Sequence, residues 1–211
     1  AADRLVEVSA GLTLRPFAQE EEQTADHDEE HDEEFDPHVW FDPANVRAWV
    51  DRIEAALSEL DLAGAGVYAA NADAYRQQLD ELDGWIHQQV DDLPPERRRL
   101  VTDHAVLGYF ADAYGFEQVG AVIPGLSTAA QASAQDLAQL EDAIHRLDVP
   151  AVFVGSTVNP TVASRVAEDT GVRVVTIYTG SLGEPGGEAG MYLDYMRYNV
   201  TAIVTGLQAS E

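Results

Sequence analysis

From Arg98 onward the chain alternates short apolar runs with longer segments of helical spacing, and few folds accept that pattern. The runs are "RLVTDH", "EQVGAVI", "PAVFVGS" and "RVVTIYT"; between and after them lie "AVLGYFADAYG", "SAQDLAQLEDAIHRLD", "NPTVASRVAEDTG" and "MYLDYMRYNVTAIVTGL". Four strands alternating with four helices predict a parallel α/β lobe. Ser133 with Asp136 three residues on predicts a capping box, and Gly171 a helix stop. In such lobes ligands sit beyond the carboxyl ends of the strands. Here those ends are Asp103-His104, the loop after Ile123, Gly155-Ser156-Thr157 and Thr179-Gly180-Ser181.

Upstream the pattern is different. "RLVEVSA" (4–10) alternates as a half-buried strand does, and Gly11 ends it. After Pro43, the residues Val46, Trp49, Val50, Ile53, Leu57 and Leu60 recur at helical spacing. Residues 66–93 carry Tyr68, Tyr75, Leu79, Leu82, Ile86 and Val90 along one side, and Pro94-Pro95 stops the run. About 28 residues at 1.5 Å each make a rod of roughly 40 Å, enough to cross a domain. The expected organisation is residues 1–65 as the remainder of a first lobe, 66–94 as a linker helix and 95–211 as the second α/β lobe.

Between these elements lies "EEEQTADHDEEHDEEFDPHVW" (20–40), which holds eleven of the 38 acidic residues. The remaining acids still outnumber the 12 basic residues, and the formal charge is −26. Such a field repels phosphate backbones and anionic membranes and favours cations, so a nucleic-acid partner is not expected. Residues 19–36 contain almost nothing apolar with which to offset ordering entropy, and read as an acidic loop. The chain has no cysteine, which leaves histidine, carboxylate and water as the available metal ligands. No run approaches the roughly 18 apolar residues of a membrane span.

Two histidines stand out by position. His104 follows the strand "LVT" at the place where α/β lobes present ligands; Asp103 beside it could orient an imidazole or cap the following helix. His38 sits in "DPHVWFDP", where Asp-Pro pairs bracket an aromatic segment that would shield one side from water. Each also has a simpler reading, a hydrogen-bonded turn residue and an aromatic surface turn respectively. No local spacing motif such as HExxH joins them; only the fold could bring them together. His87 and His145 read as helix-surface residues, the latter suited to a helix C-terminus.

"DPHVWFDP", then "RRLVTDHAVLGYFADAYGF", then "ASAQDLAQLEDAIHRLDVPAVFVGSTVNPTVASRVAEDTGV", then "IYTGSLGEPGGEAGMYLDYMRYNVTAIVTGL" resemble, in order and over residues 4–207, the cluster A-I metal-binding proteins of zinc and manganese ABC importers. That resemblance implies two α/β lobes joined by one rigid helix, the first lobe incomplete in this chain, and a divalent metal held in the cleft between them. It implies a protein of the periplasm, or lipid-anchored outside the cell, that hands its metal to an ABC permease and is not an enzyme. A monomer is expected. The family's ligands fall on His38 and His104. Manganese binders usually carry Glu at the second place and zinc binders His, so His104 points to zinc as the transported ion, with manganese the alternative. Imidazole suits zinc, whereas manganese favours more oxygen ligands.

The sequence departs from the family at three places. The family's first histidine belongs to a segment upstream of Ala1, so the chain is expected to continue in that direction. An Asp ligand common in the family aligns with Gly180, and an acid near the site aligns with Gly155. Glu184, Glu188 or an acid of the opening tract could supply a further carboxylate. The tract itself, with His27 and His31, is expected to coordinate cations weakly and in exchange. A zinc-dependent hydrolase, with Asp103 or Glu184 as base, is the alternative from another class; neither HExxH nor GxSxG is present to favour it. A surface adhesin or metal buffer is a third.

Overall fold

The computed structural model of the chain describes residues 5–16, 35–123 and 132–208. Its centre is a four-stranded, wholly parallel sheet: β1 (Arg99–Thr102), β2 (Glu117–Ala121), β3 (Ala151–Gly155) and β4 (Arg173–Ile177), in the order β2-β1-β3-β4. The four strands predicted from Arg98 onward therefore all form. Because the chain leaves β1 to one side and returns to add β3 on the other, the sheet has a switch point between β1 and β3, and the crevice there opens at the strands' carboxyl ends.

The two central strands, β1 and β3, are covered on both faces, which is why they read as continuous apolar runs. On one face, Leu100, Ala151, Phe153 and Ile177 pack with α2 (Ala65–Asp91), α3 (Gly108–Tyr114) and α6 (Tyr192–Leu207) around Phe110, Met196 and Ile203. On the other, Val101, Val152 and Val154 pack under α4 (Ala134–Leu147) and α5 (Thr161–Thr170), with Leu140, Ile144 and Val166. Neighbouring residues of one strand thus serve opposite cores, as the two-residue period requires. Ser133 and Asp136 close the predicted capping box at the start of α4, and Gly171 ends α5 in the left-handed conformation.

The predicted long helix is α2, at 27 residues roughly 40 Å long. It buries Leu82, Ile86 and Val90 in the main core, and its last turn closes before Pro94. α1 (Pro43–Leu60) starts at Asp42, whose side chain caps Ala44 N, and packs back along α2. Arg76 binds Asp51, Glu54 and Asp73 and so ties the two helices together. No helix among the described residues is long and apolar enough to cross a membrane.

One expected element does not form. Residues 5–10 are not a strand: Ser9 O turns back to accept from Leu12 N, and Leu5 is 85% exposed. Alternation satisfies the side-chain half of strand formation, but a strand also needs a neighbour for its backbone, and among the described residues the segment pairs with none. The single bridge nearby joins Pro16 to Phe35. It sets the entry to the turn that carries His38.

Candidate metal centre

His38 and His104 come from opposite ends of this architecture and meet. Their ring centroids lie 5.4 Å apart, edge to face, and both residues are buried. His104 follows β1 beside the switch point; His38 caps a 3-10 turn, Val39–Phe41, that leads into α1. Sixty-six residues of sequence separation are closed by the packing of Phe41 into the main core and of the 3-10 turn against α3.

Each imidazole is held by a carboxylate. Asp103 Oδ1 accepts from the His104 backbone N–H at 2.8 Å and lies 2.8 Å from its Nδ1. Asp36 Oδ1 accepts from the His38 backbone N–H at 2.9 Å and lies 2.7 Å from its Nδ1. An ionised carboxylate only accepts, so each contact is met by Nδ1–H, and a neutral imidazole held in this way keeps its lone pair on Nε2. Carboxylate contacts of this kind orient metal-binding histidines and raise their basicity.

The carboxylates are fixed in turn. Asp103 Oδ2 accepts from Gly155 N–H at 2.8 Å, a bond that spans the switch point from β1 to β3. Asp103 N–H donates to Phe153 O, and Thr102 Oγ1 donates to His104 O at 2.7 Å. Asp36 is only 1% exposed; its backbone N–H donates to Arg15 O, its carbonyl accepts from the Tyr109 hydroxyl at 3.0 Å, and Arg15 Nη1 stands 3.9 Å from its Oδ2. Gly108 makes the room: a Cβ there would lie 2.7 Å from Asp36 Oδ2. On its other side His38 meets Trp40 edge-on, with centroids 5.5 Å apart.

The spacing can be tested against a metal. Two imidazoles on one zinc, with Zn–N about 2.0–2.1 Å, an angle of about 109° and roughly 1.1 Å from nitrogen to ring centre, would have centroids roughly 5.2 Å apart. The observed 5.4 Å is compatible with that arrangement. Among the described residues, however, no group of three or more His, Asp or Glu side chains is assembled to hold a metal ion.

The other predicted positions are dispersed. His27 and His31 lie outside the described residues. Glu184 and Glu188 are exposed in the loop before α6. Gly180 faces open space, since a Cβ added there would meet nothing within 4 Å. Gly155 is the reverse case: a Cβ would lie 2.4 Å from Thr179 Oγ1 and 3.2 Å from Asp103 Oδ2, so Thr179 occupies the room that a side chain would need. His87 lies on the α2 surface, 3.8 Å from Asp83, and His145 in the last turn of α4. A surface cavity of about 550 Å³ between β4 and α6 is lined by Arg173, Val175, Arg197 and Tyr198 among others, and includes neither histidine of the pair.

Sequence reasoning singled out Asp103 but passed over Asp36. The signal was present: Asp two residues before the position it serves, with Pro between, is an Asx-turn pattern.

Residues 1–206 match the family described as zinc-uptake complex component A, periplasmic (ZnuA). The chain belongs to this family. Among its relatives, the manganese-binding lipoprotein MntA of Halalkalibacterium halodurans is 41% identical over 173 residues, covering 82% of this chain and 57% of the relative. The zinc-binding protein TroA of Treponema pallidum is 37% identical over 183 residues, covering 82% and 58%. The solved structure of the periplasmic zinc-binding TroA superposes with a TM-score of 0.77 at 32% identity, over 89% of this chain and 68% of that one. The chain thus spans somewhat over half the length of the curated relatives it matches. The ZnuA family comprises metal-binding substrate-binding proteins of ABC transporters, and this chain shares their α/β fold with a parallel sheet. Its relatives include both zinc and manganese binders, lipoproteins and periplasmic proteins.

Proposed function

We propose that this chain is the greater part of a periplasmic or lipid-anchored solute-binding protein that captures zinc between His38 and His104 and passes it to an ABC permease. The observation that carries this reading is the paired geometry: two buried imidazoles 5.4 Å apart, each with Nδ1 against a carboxylate. Such a pair offers two Nε2 lone pairs to one ion. In this reading α2 is the rigid link between two lobes, with His38 on the side of the first lobe and His104 on the second. Nitrogen donors of this kind suit zinc better than manganese, which favours more oxygen ligands.

Manganese is the second reading, and the 41% identity to a manganese-binding lipoprotein favours it. Competition decides between them. Zinc and manganese are titrated against the same chelator series in the full-length protein. Zinc is expected to bind more tightly; tighter manganese binding would overturn the zinc assignment. A hydrolase reading predicts steady turnover of ester or peptide substrates by the zinc-loaded protein, where the transport reading predicts none.

A further inference from the structure

The last helix carries a row of hydrogen-bonding side chains that metal ligation does not use. Tyr192, Tyr195 and Asn199 stand at i, i+3 and i+7 on α6 and therefore on one face. All three reach backbone in the turns around the imidazole pair. The Tyr192 hydroxyl donates to Trp40 O at 2.8 Å. The Tyr195 hydroxyl accepts from Trp40 Nε1 at 3.2 Å and donates to Thr179 O at 2.9 Å. Asn199 holds Tyr178 on both sides, accepting from its N–H and donating to its carbonyl, each at 2.8 Å.

The two turns joined in this way belong to different halves of the site. Trp40 lies two residues after His38 and touches its ring. Thr179 precedes Gly180, and its Oγ1 fills the space over Gly155, whose N–H holds the carboxylate behind His104. The Tyr195 oxygen thus bridges Trp40, which touches the His38 ring, and Thr179, which packs over the glycine whose N–H holds Asp103. Burial raises the Tyr195 phenol above its ordinary range, so it stays a neutral donor.

We propose that Tyr195 is a positioning residue for metal capture: its hydroxyl ties the His38 turn to the loop after β4 and so sets His38 against His104. This rests on the reading of those histidines as the ligands. The bond is long-range, 155 residues on one side and 16 on the other. Only the folded chain makes it.

The test is Tyr195→Phe in the full chain, which removes one oxygen and keeps the packed ring. Zinc release, followed by chelator chase, is expected to accelerate roughly 5- to 10-fold, the worth of one net hydrogen bond. In a Trp40→Phe background the same change is expected to add less than twofold, because the two act through one bond. Tyr198→Phe, which keeps the ring packed on Tyr178 and removes a hydroxyl that, among the described residues, bonds neither turn, is expected to leave release unchanged. Imidazole nitrogen spectra of the metal-free protein supply a readout that needs no metal. Wild type is expected to show both rings as Nδ1–H, and Y195F to shift the His38 signals while those of His104 hold. A fall in melting temperature with unchanged His38 signals would make Tyr195 merely structural and overturn the proposal. Failure of wild type to bind zinc would remove the ligand reading, and the spectra would still decide the positioning claim.

Discussion

Asp36→Asn is the change that isolates what a carboxylate behind His38 contributes. Asn keeps the size and an oxygen that can accept the 2.9 Å bond from His38 N–H. It removes the negative charge from the 2.7 Å contact with Nδ1 and places it in competition with an amide that can also donate. The ring is then no longer obliged to carry its proton on Nδ1, and Nε2 loses basicity. Losing such an outer partner typically costs 10- to 100-fold in metal affinity, which is about 1.4–2.7 kcal/mol. Asp36 is buried, with the Arg15 guanidinium 3.9 Å away, so solvent does little to soften the change. The assay is zinc titration against a competing chelator, with thermal unfolding of the metal-free protein measured in parallel. Affinity within twofold of wild type, with or without a drop in stability, would refute the argument that Asp36 acts through His38.

Three further outcomes follow from other parts of the structure. Gly155→Ala is expected to destabilise the protein and weaken zinc binding together, because its Cβ would meet Thr179 Oγ1 at 2.4 Å and disturb the N–H that holds Asp103; paired unfolding and titration experiments check it. Asp136, whose carboxyl is lowered by the Ser133 side chain and backbone bonds, contributes stability that is present above about pH 3.8 and is lost as pH falls through its depressed value. The melting-temperature gap between wild type and D136N is therefore expected at neutral pH and should close in acid. With 38 acids, 12 arginines and no lysine, the folded chain repels itself, and its melting temperature is expected to rise with sodium chloride from low to molar concentration; a flat response would show that the excess charge is not felt.

The second half of the fold was legible because its signals are local. Strand-length apolar runs, the Ser133–Asp136 box and the Gly171 stop each act within a few residues, and each appears where the sequence places it. The strand expected at residues 4–10, which the described residues 5–10 do not form, shows the limit of the same reasoning, since whether an alternating run finds a partner depends on what lies beside it in space. The candidate site divides similarly. His38, His104 and Asp103 could be named from turn position and family resemblance, and Asp36 lay within reach of an Asx-turn reading. Tyr195, Thr179 and Asn199 could not be found that way, because their partners are fixed by the packing of α6 across β4 rather than by sequence spacing. Gly155 and Gly180 read alike as lost acids, yet one is filled by Thr179 and the other faces open space.

The central claim is that two residues, not the acidic run beside them, hold the metal. Calorimetric zinc titration under a competing chelator tests it on four forms of the full-length protein: wild type, His38→Ala, His104→Ala and a deletion of residues 19–34. Each histidine substitution is expected to lower affinity by orders of magnitude, and the deletion far less. Equal losses from the deletion and the point changes would contradict the claim.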